Sequence, residues 1–137
     1  DTSEIPMQIF ARADLLFYQN NFVQCHLSLD SILNIFQGHS LTDEILFRKS
    51  EIYLKTNKIQ KAVESLEKII EEFSYDILAD DAIFTLAGIF QQKIKDNEKA
   101  KGLYEKILTE HKGSIYSAEA RKRFRKLRGD DVEKATL

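Results

Sequence analysis

The sequence has one cysteine, one proline, no tryptophan and only five glycines among its 137 residues. Cys25 is alone, so no internal disulfide can form and no redox compartment is indicated. The glycines are isolated from one another, which excludes a glycine-rich phosphate loop. No apolar run is long enough for a transmembrane helix. Because the chain starts at Asp1 rather than at Met, we expect a fragment of a longer protein.

Patterns for catalysis and for metal binding are also missing. The chain has no Gly-x-Ser-x-Gly motif for a nucleophile. Its three histidines, His26, His39 and His111, lack the spacing of metal ligands. We therefore expect no enzyme activity and no catalytic residue, and neither a metal site, a cofactor nor a small-molecule substrate.

Charged residues make up 31% of the chain, and the net charge is only −2. Residues 1–110 hold 12 basic and 18 acidic side chains, a net charge of −6. Residues 111–137 hold 8 basic and 4 acidic side chains, a net charge of +4. Six cations fall within residues 121–128. This stretch is typical of the solvated face of a terminal helix; the alternative is contact with nucleic acid or anionic lipid. No aromatic pair is interleaved for base stacking, so neither nucleic acid nor a membrane is the expected partner.

A pattern of apolar and small residues recurs three times along the chain. Its first block repeats at offsets of 37 and 37 residues, and its second block at 37 and 38. Such a period is typical of stacked supersecondary units. The first blocks are Ile9-Phe10-(x)2-Ala13-(x)2-Leu16, Leu46-Phe47-(x)2-Ser50-(x)2-Tyr53 and Ile83-Phe84-(x)2-Ala87-(x)2-Phe90. The second blocks start at Cys25, Ala62 and Ala100.

Residues three and four apart within each block lie on one helical face, so each repeat is predicted to be a pair of helices. Breaks are predicted at residues 19–21, 56–58 and 95–97, where Asn and Asp suit tight turns. The third turn is predicted to be one residue longer, which would account for the offset of 38. A seventh helix is predicted over residues 115–128. The ends of the chain, residues 1–5 and 132–137, are expected to be frayed.

Residues 82–90, followed by Ala100, Tyr104 and Ile107, resemble the tetratricopeptide repeat (TPR) family. The flanks at residues 72–82 and 111–121 resemble its long-linker variant, found in bacterial envelope proteins such as the periplasmic partner of Tol–Pal and an outer-membrane-assembly lipoprotein. The resemblance implies an all-α, right-handed superhelix of three helix pairs, at about 7–36, 43–73 and 79–111, with a capping helix at about 115–128. Residues 1–137 would form a single domain, located in the bacterial periplasm or envelope rather than the cytoplasm.

In a TPR stack the first helices of the repeats line a groove, and the resemblance places nine candidate partner-binding residues there. The aromatic members would anchor an apolar segment, and the acidic ones would select Lys or Arg. The implied function is a non-catalytic protein–protein interaction module that binds a partner helix or peptide. The candidates are Phe10, Asp14, Phe17, Glu44, Phe47, Glu51, Asp81, Phe84 and Gln91.

Two alternatives stay open at this point. The phenylalanines can equally be core residues, and the acids can be an ordinary solvated face. The repeats can also be a structural spacer or a self-association element of a larger protein. In that case a homodimer would form through the first repeat, with contacts at Ile5, Met7, Ile9 and Leu15.

Overall fold

The computed structural model describes residues 4–130, and within this range it is all-α, without strands. Residues 1–3 and 131–137, including most of the predicted end segments, lie outside the described range. The helices are α1 (Glu4–Tyr18), α2 (Phe22–Ile35), α3 (Thr42–Lys55), α4 (Ile59–Glu72), α5 (Leu78–Ile89), α6 (Asn97–Glu110) and α7 (Ser117–Arg128). A π-helical turn, Phe90–Ile94, continues α5. The predicted all-α fold of repeated helix pairs is therefore confirmed.

The three short turns inside the helix pairs share one backbone feature. Asn20, Asn57 and Lys95 have φ of 61°, 60° and 66°, in the left-handed region. Asn tolerates this conformation because its short polar side chain can hydrogen-bond locally. After the left-handed residue, the next amide bonds back to a carbonyl near the helix end, as from Asn21 N to Leu16 O at 2.9 Å. This bond satisfies a carbonyl that the ended helix leaves without a partner.

The prediction of a longer third turn is wrong, because the extra residue lies in the helix. The left-handed Lys95 comes five positions after Phe90, whereas Asn57 comes four positions after Tyr53. The π-helical turn Phe90–Ile94 takes up this residue. Its closing bond runs from Asp96 N to Phe90 O at 2.8 Å, one residue longer than the equivalent bonds of the other pairs. A π-turn accommodates one inserted residue without ending the helix.

By its internal packing the chain divides into two compact halves, between Ser65 and Leu66, within α4. In the N-terminal half, α1 packs against α2, and one apolar cluster joins residues of α1, α2 and α3. Cys25 is fully buried there, where its thiol donates to Ala13 O at 3.2 Å. Burial raises the pKa of this thiol. The fully buried members of the cluster are Ala13, Cys25, Leu29, Ile32, Ile45 and Ile52.

In the C-terminal half, α6 packs against both α5 and α7. Tyr104 of α6 is fully buried, an unusual position for a large side chain with a polar hydroxyl. On α7, Ala120 is buried and Phe124 and Leu127 are partly buried, so this helix presents its small and apolar residues to the protein. It stops at Gly129, whose φ of 101° suits glycine.

No helix among residues 4–130 combines the length and the apolar character that crossing a membrane requires.

Candidate functional site

Three of the predicted groove residues in the N-terminal half lie around Arg48 of α3. Its guanidinium lies 2.9 Å from Asp14 Oδ1 of α1 and donates to Glu51 Oε1 at 3.1 Å. Its Cζ also lies 4.3 Å from the centre of the Phe17 ring and 5.5 Å from that of Tyr18. Arg48 thus contacts two acidic residues that were predicted to line the groove, and its guanidinium packs on two aromatic rings, a favourable position for a cation. The structure brings Asp14, Phe17 and Glu51 together as a result.

Glu44 belongs to the same electrostatic surface. Burial raises its pKa, and the charges of Asp43 and Asp14 add to the shift. Burial also raises the pKa of Glu51, and Asp14 acts in the same direction, whereas the charges of Arg48 and Lys55 lower it. Asp14, Glu44 and Glu51 carry three negative charges, and the cations that act on Glu51 are Arg48 and Lys55. We call these three carboxylates with Arg48 the acidic face.

The phenylalanines of this half differ in their exposure. Phe17 is only 6% exposed and belongs to the core. Phe10 is partly buried and packs against that core. Phe47, on α3, is partly buried as well. Phe10 and Phe47 therefore keep some exposed ring surface, and Phe17 contributes chiefly by supporting Arg48.

A second polar cluster lies between α2 and α3. Lys49 is only 8% exposed, and its Nζ donates to Asp30 Oδ1 at 2.6 Å. The same Nζ lies 3.0 Å from His26 Nδ1, which therefore acts as acceptor, so that the imidazole is neutral. The His26 ring packs against Tyr53, with ring centres 4.8 Å apart. Burial lowers the pKa of His26, and the charge of Lys49 lowers it further.

In the C-terminal half, the predicted groove residues contact the chain's own capping segment. The Tyr116 ring stacks on Phe84 with centres 4.4 Å apart and planes within 11°. The Tyr116 hydroxyl donates to Asp81, and this bond, with burial, raises the pKa of Tyr116 to about 12. Beside it, Ser114 Oγ donates to Asp80 Oδ2 at 2.7 Å. The segment that leads into α7 is therefore fixed on the first turns of α5.

Gln91, the last predicted groove residue, takes part in a neighbouring network. The Tyr104 hydroxyl donates to Gln91 Oε1 at 2.8 Å and accepts from Arg123 at 3.0 Å. The Arg123 guanidinium also lies 5.0 Å from the centre of the Phe84 ring. Arg123 thus faces the protein, unlike the expectation that all six cations of residues 121–128 lie on a solvated face. Arg128, at the end of that stretch, pairs with Asp130 at 2.5 Å.

Sequence reasoning missed Arg48, Tyr116 and Arg123. Arg48 could have been found, since it lies four residues after Glu44 and three before Glu51, the spacings at which side chains meet on a helix. Tyr116 and Arg123 belong to the segment after the third repeat, where no equivalent positions exist for comparison. Among residues 4–130, no group of three His, Cys, Asp or Glu side chains is placed to hold a metal ion.

Comparison with known proteins identifies the repeat. Residues 44–74 and 81–114 match a family model described as tetratricopeptide repeat, and these segments cover most of the second and third helix pairs. A search of curated proteins gives no match. Tetratricopeptide repeats form a non-enzymatic family that generally mediates protein–protein interactions. Residues 44–74 and 81–114 of the chain are therefore tetratricopeptide repeats.

Proposed function

We propose that this chain is a non-catalytic interaction module whose acidic face binds a protein segment that carries Lys or Arg beside apolar residues. The observation that supports this most directly is the excess of carboxylates over cations on the acidic face. Arg48 contacts two of the three carboxylates, Asp14 and Glu51, and the pKa values of Glu44 and Glu51 are raised. A carboxylate with a raised pKa in a partly buried position gains from a nearby cation.

The size of that gain fits a specific but moderate interaction. A cation about 4 Å from one carboxylate gains roughly 1 kcal/mol in water and up to about 4 kcal/mol near a protein surface of lower effective dielectric. Arg48 is already engaged, so a partner's cation would add to the face rather than replace an existing pair. Glu44 is exposed, whereas Asp14 and Glu51 are partly buried, so Glu44 would be the first contact for an incoming side chain.

Apolar contact would come from Phe10 and Phe47, the two partly buried aromatics of the same half. Such residues commonly anchor a helix or an extended segment that lies in a groove. For Asp81, Phe84 and Gln91 we propose a structural role in place of direct contact with the partner. They hold the capping segment through Tyr116 and Tyr104, and a partner at these positions would lie over those tyrosines.

The compartment belongs to the same proposal. Five residues lie between α4 and α5, and six between α6 and α7, which fits the long-linker resemblance of the sequence. On that resemblance we propose a bacterial envelope location, which fractionation of the source cells would test.

The acidic face can be tested with a display library of random peptides. The wild-type chain should enrich peptides that combine Lys or Arg with large apolar residues. Glu44→Lys should weaken the selected peptides by about tenfold, because it turns an attractive contact into a repulsive one. The matched control is Glu64→Lys, the same charge change at an exposed position of α4. Peptides without basic residues, or equal losses in both variants, would contradict the proposal.

A further inference from the structure

The first repeat differs from the others in how little charge it carries. Among residues 4–41 only Glu4, Arg12, Asp14 and Asp30 are charged, although 31% of the whole chain is. Several large apolar side chains of this repeat are nevertheless exposed, including Leu15 at 59% and Leu27 at 59%. An exposed apolar surface on a soluble helix pair marks a site of contact with another protein element.

The repeat period identifies which part of this surface is not covered by another helix among residues 4–130. The positions 37 residues after Gln8, Arg12 and Leu15 are 45, 49 and 52 on α3. Ile45 and Ile52 are both fully buried, and both belong to the cluster that contains Leu29 and Ile32 of α2. This face of α3 is therefore the surface on which the second helix of the preceding pair packs.

On α1 the same face is open. Gln8, Arg12 and Leu15 are all exposed. Leu15 is 59% exposed, whereas its equivalents Ile52 and Ile89 are 0% and 4% exposed. These three residues lie on average about half a turn around the helix from Phe17 and about a third of a turn from Asp14, so they face away from the Phe17 side of α1. We call Gln8, Arg12 and Leu15 the outer face of α1.

The charge on this face specifies what would cover it. On α3 the equivalent of Arg12 is Lys49, which is buried and paired with Asp30 of α2 at 2.6 Å. A helix that packed on α1 in the same way would place a carboxylate at the position of Asp30, next to Arg12. It would also place apolar residues at the positions of Leu29 and Ile32, next to Leu15.

We propose that the outer face of α1 docks an amphipathic helix with an acidic residue beside its apolar stripe, in the manner in which α2 docks on α3. This surface is distinct from the acidic face and has the opposite charge preference. The first repeat can therefore contact a neighbour on one side while the acidic face binds a partner on another.

The test uses a defined probe, a peptide with the α2 sequence, residues 21–36. A cross-link between positions 23 and 27 would hold it helical, because Val23 and Leu27 are exposed on α2 and lie one turn apart. Titration calorimetry of the peptide with the chain should give a Kd on the order of 100 µM, a modest value because Gln8 replaces an isoleucine in the contact. Arg12→Glu should weaken binding by about tenfold, and so should the peptide change Asp30→Lys.

The decisive arm combines the two reversals. The Arg12→Glu chain with the Asp30→Lys peptide should regain most of the wild-type affinity, because the pair is restored with opposite sign. An affinity that does not respond to Arg12→Glu would overturn the proposal, since it would mean that the peptide displaces the chain's own α2. Absence of binding up to about 1 mM would overturn it as well.

Sedimentation of the wild type and of Leu15→Glu covers the remaining outcome. If the wild type is a dimer and Leu15→Glu dissociates it, the occupant of the outer face of α1 is a second copy of this chain and not an acidic helix. That result would overturn the proposal in favour of the self-association alternative. A monomer in both samples is the expected result. Ile9, which that alternative also includes, packs partly buried against the core instead.

Discussion

Replacing Tyr116 by Phe removes one hydroxyl, and the structure sets the size of the effect. That hydroxyl donates to Asp81, while the ring stacks on Phe84. Phe keeps the stack, so Tyr116→Phe isolates the hydrogen bond. The pKa of Tyr116 is raised to about 12, roughly two units above the ordinary tyrosine value near 10. Two units correspond to about 2.7 kcal/mol, and solvent screening at this partly exposed position lowers the expected loss to about 1–1.5 kcal/mol.

The pH dependence gives this prediction a second signature. Because the pKa of Tyr116 is higher in the folded chain than in the unfolded chain, the contribution is fully present below pH 10. It is lost as the pH rises from 10 through about 12, where the folded protein must also release the proton. The difference in unfolding free energy between wild type and Tyr116→Phe should therefore be constant from pH 7 to 9 and shrink above pH 10.

Urea unfolding followed by circular dichroism measures this difference directly. The control is Tyr75→Phe, which removes a hydroxyl from a fully exposed tyrosine and should leave the unfolding free energy unchanged. Equal stability of Tyr116→Phe and wild type at pH 7 would refute the reasoning. A difference that persists unchanged above pH 12 would show that the hydroxyl stabilises the fold by some means other than its bond to Asp81.

Three further predictions concern stability. Lys95→Gly should stabilise the chain by about 0.5–1 kcal/mol, because Lys95 has φ of 66°, which glycine adopts without strain. The control Lys93→Gly, at an exposed helical position, should instead cost about 1 kcal/mol. Unfolding temperatures that change in the opposite directions would contradict this. Ala62→Leu should cost about 1–3 kcal/mol, because Ala62 is fully buried, and an unchanged melting temperature would mean that the site can expand. Burial lowers the pKa of His26 in the folded chain, so the unfolded chain binds more protons below pH 6.5 and the unfolding free energy should fall as the pH drops below that value. His26→Gln should flatten this dependence of the unfolding free energy on pH. Equal slopes for wild type and His26→Gln would contradict the prediction.

The helix boundaries were largely predictable from local chemistry. Asn20 and Asn57 mark turns because asparagine tolerates a left-handed backbone, and the structure places left-handed residues at both. The period alone could not locate the one-residue insertion, since a longer turn and a π-turn give the same offset of 38. The identity of Lys95 offered no help, because lysine has no preference for the left-handed region.

The candidate site was less predictable than the fold, and the reason is that its partners come from different helices. The repeat alignment put Asp14 and Glu51 on groove positions but gave no sign that Arg48 joins them. It likewise put Phe84 in the groove, where Tyr116 covers it. Contacts of this kind depend on the register between helices, and the spacing of apolar residues within one helix gives no information about that register.

One measurement tests the account most directly: nuclear magnetic resonance titration of the labelled wild-type chain with a peptide selected from the library. The account predicts that shift changes concentrate on α1 and α3 around Asp14, Glu44 and Phe47. The side-chain carboxyl resonance of Glu44 should also titrate at a lower pH in the complex, because a bound cation favours its charged form. Shift changes confined to α7, or a Glu44 titration that the peptide does not alter, would contradict it.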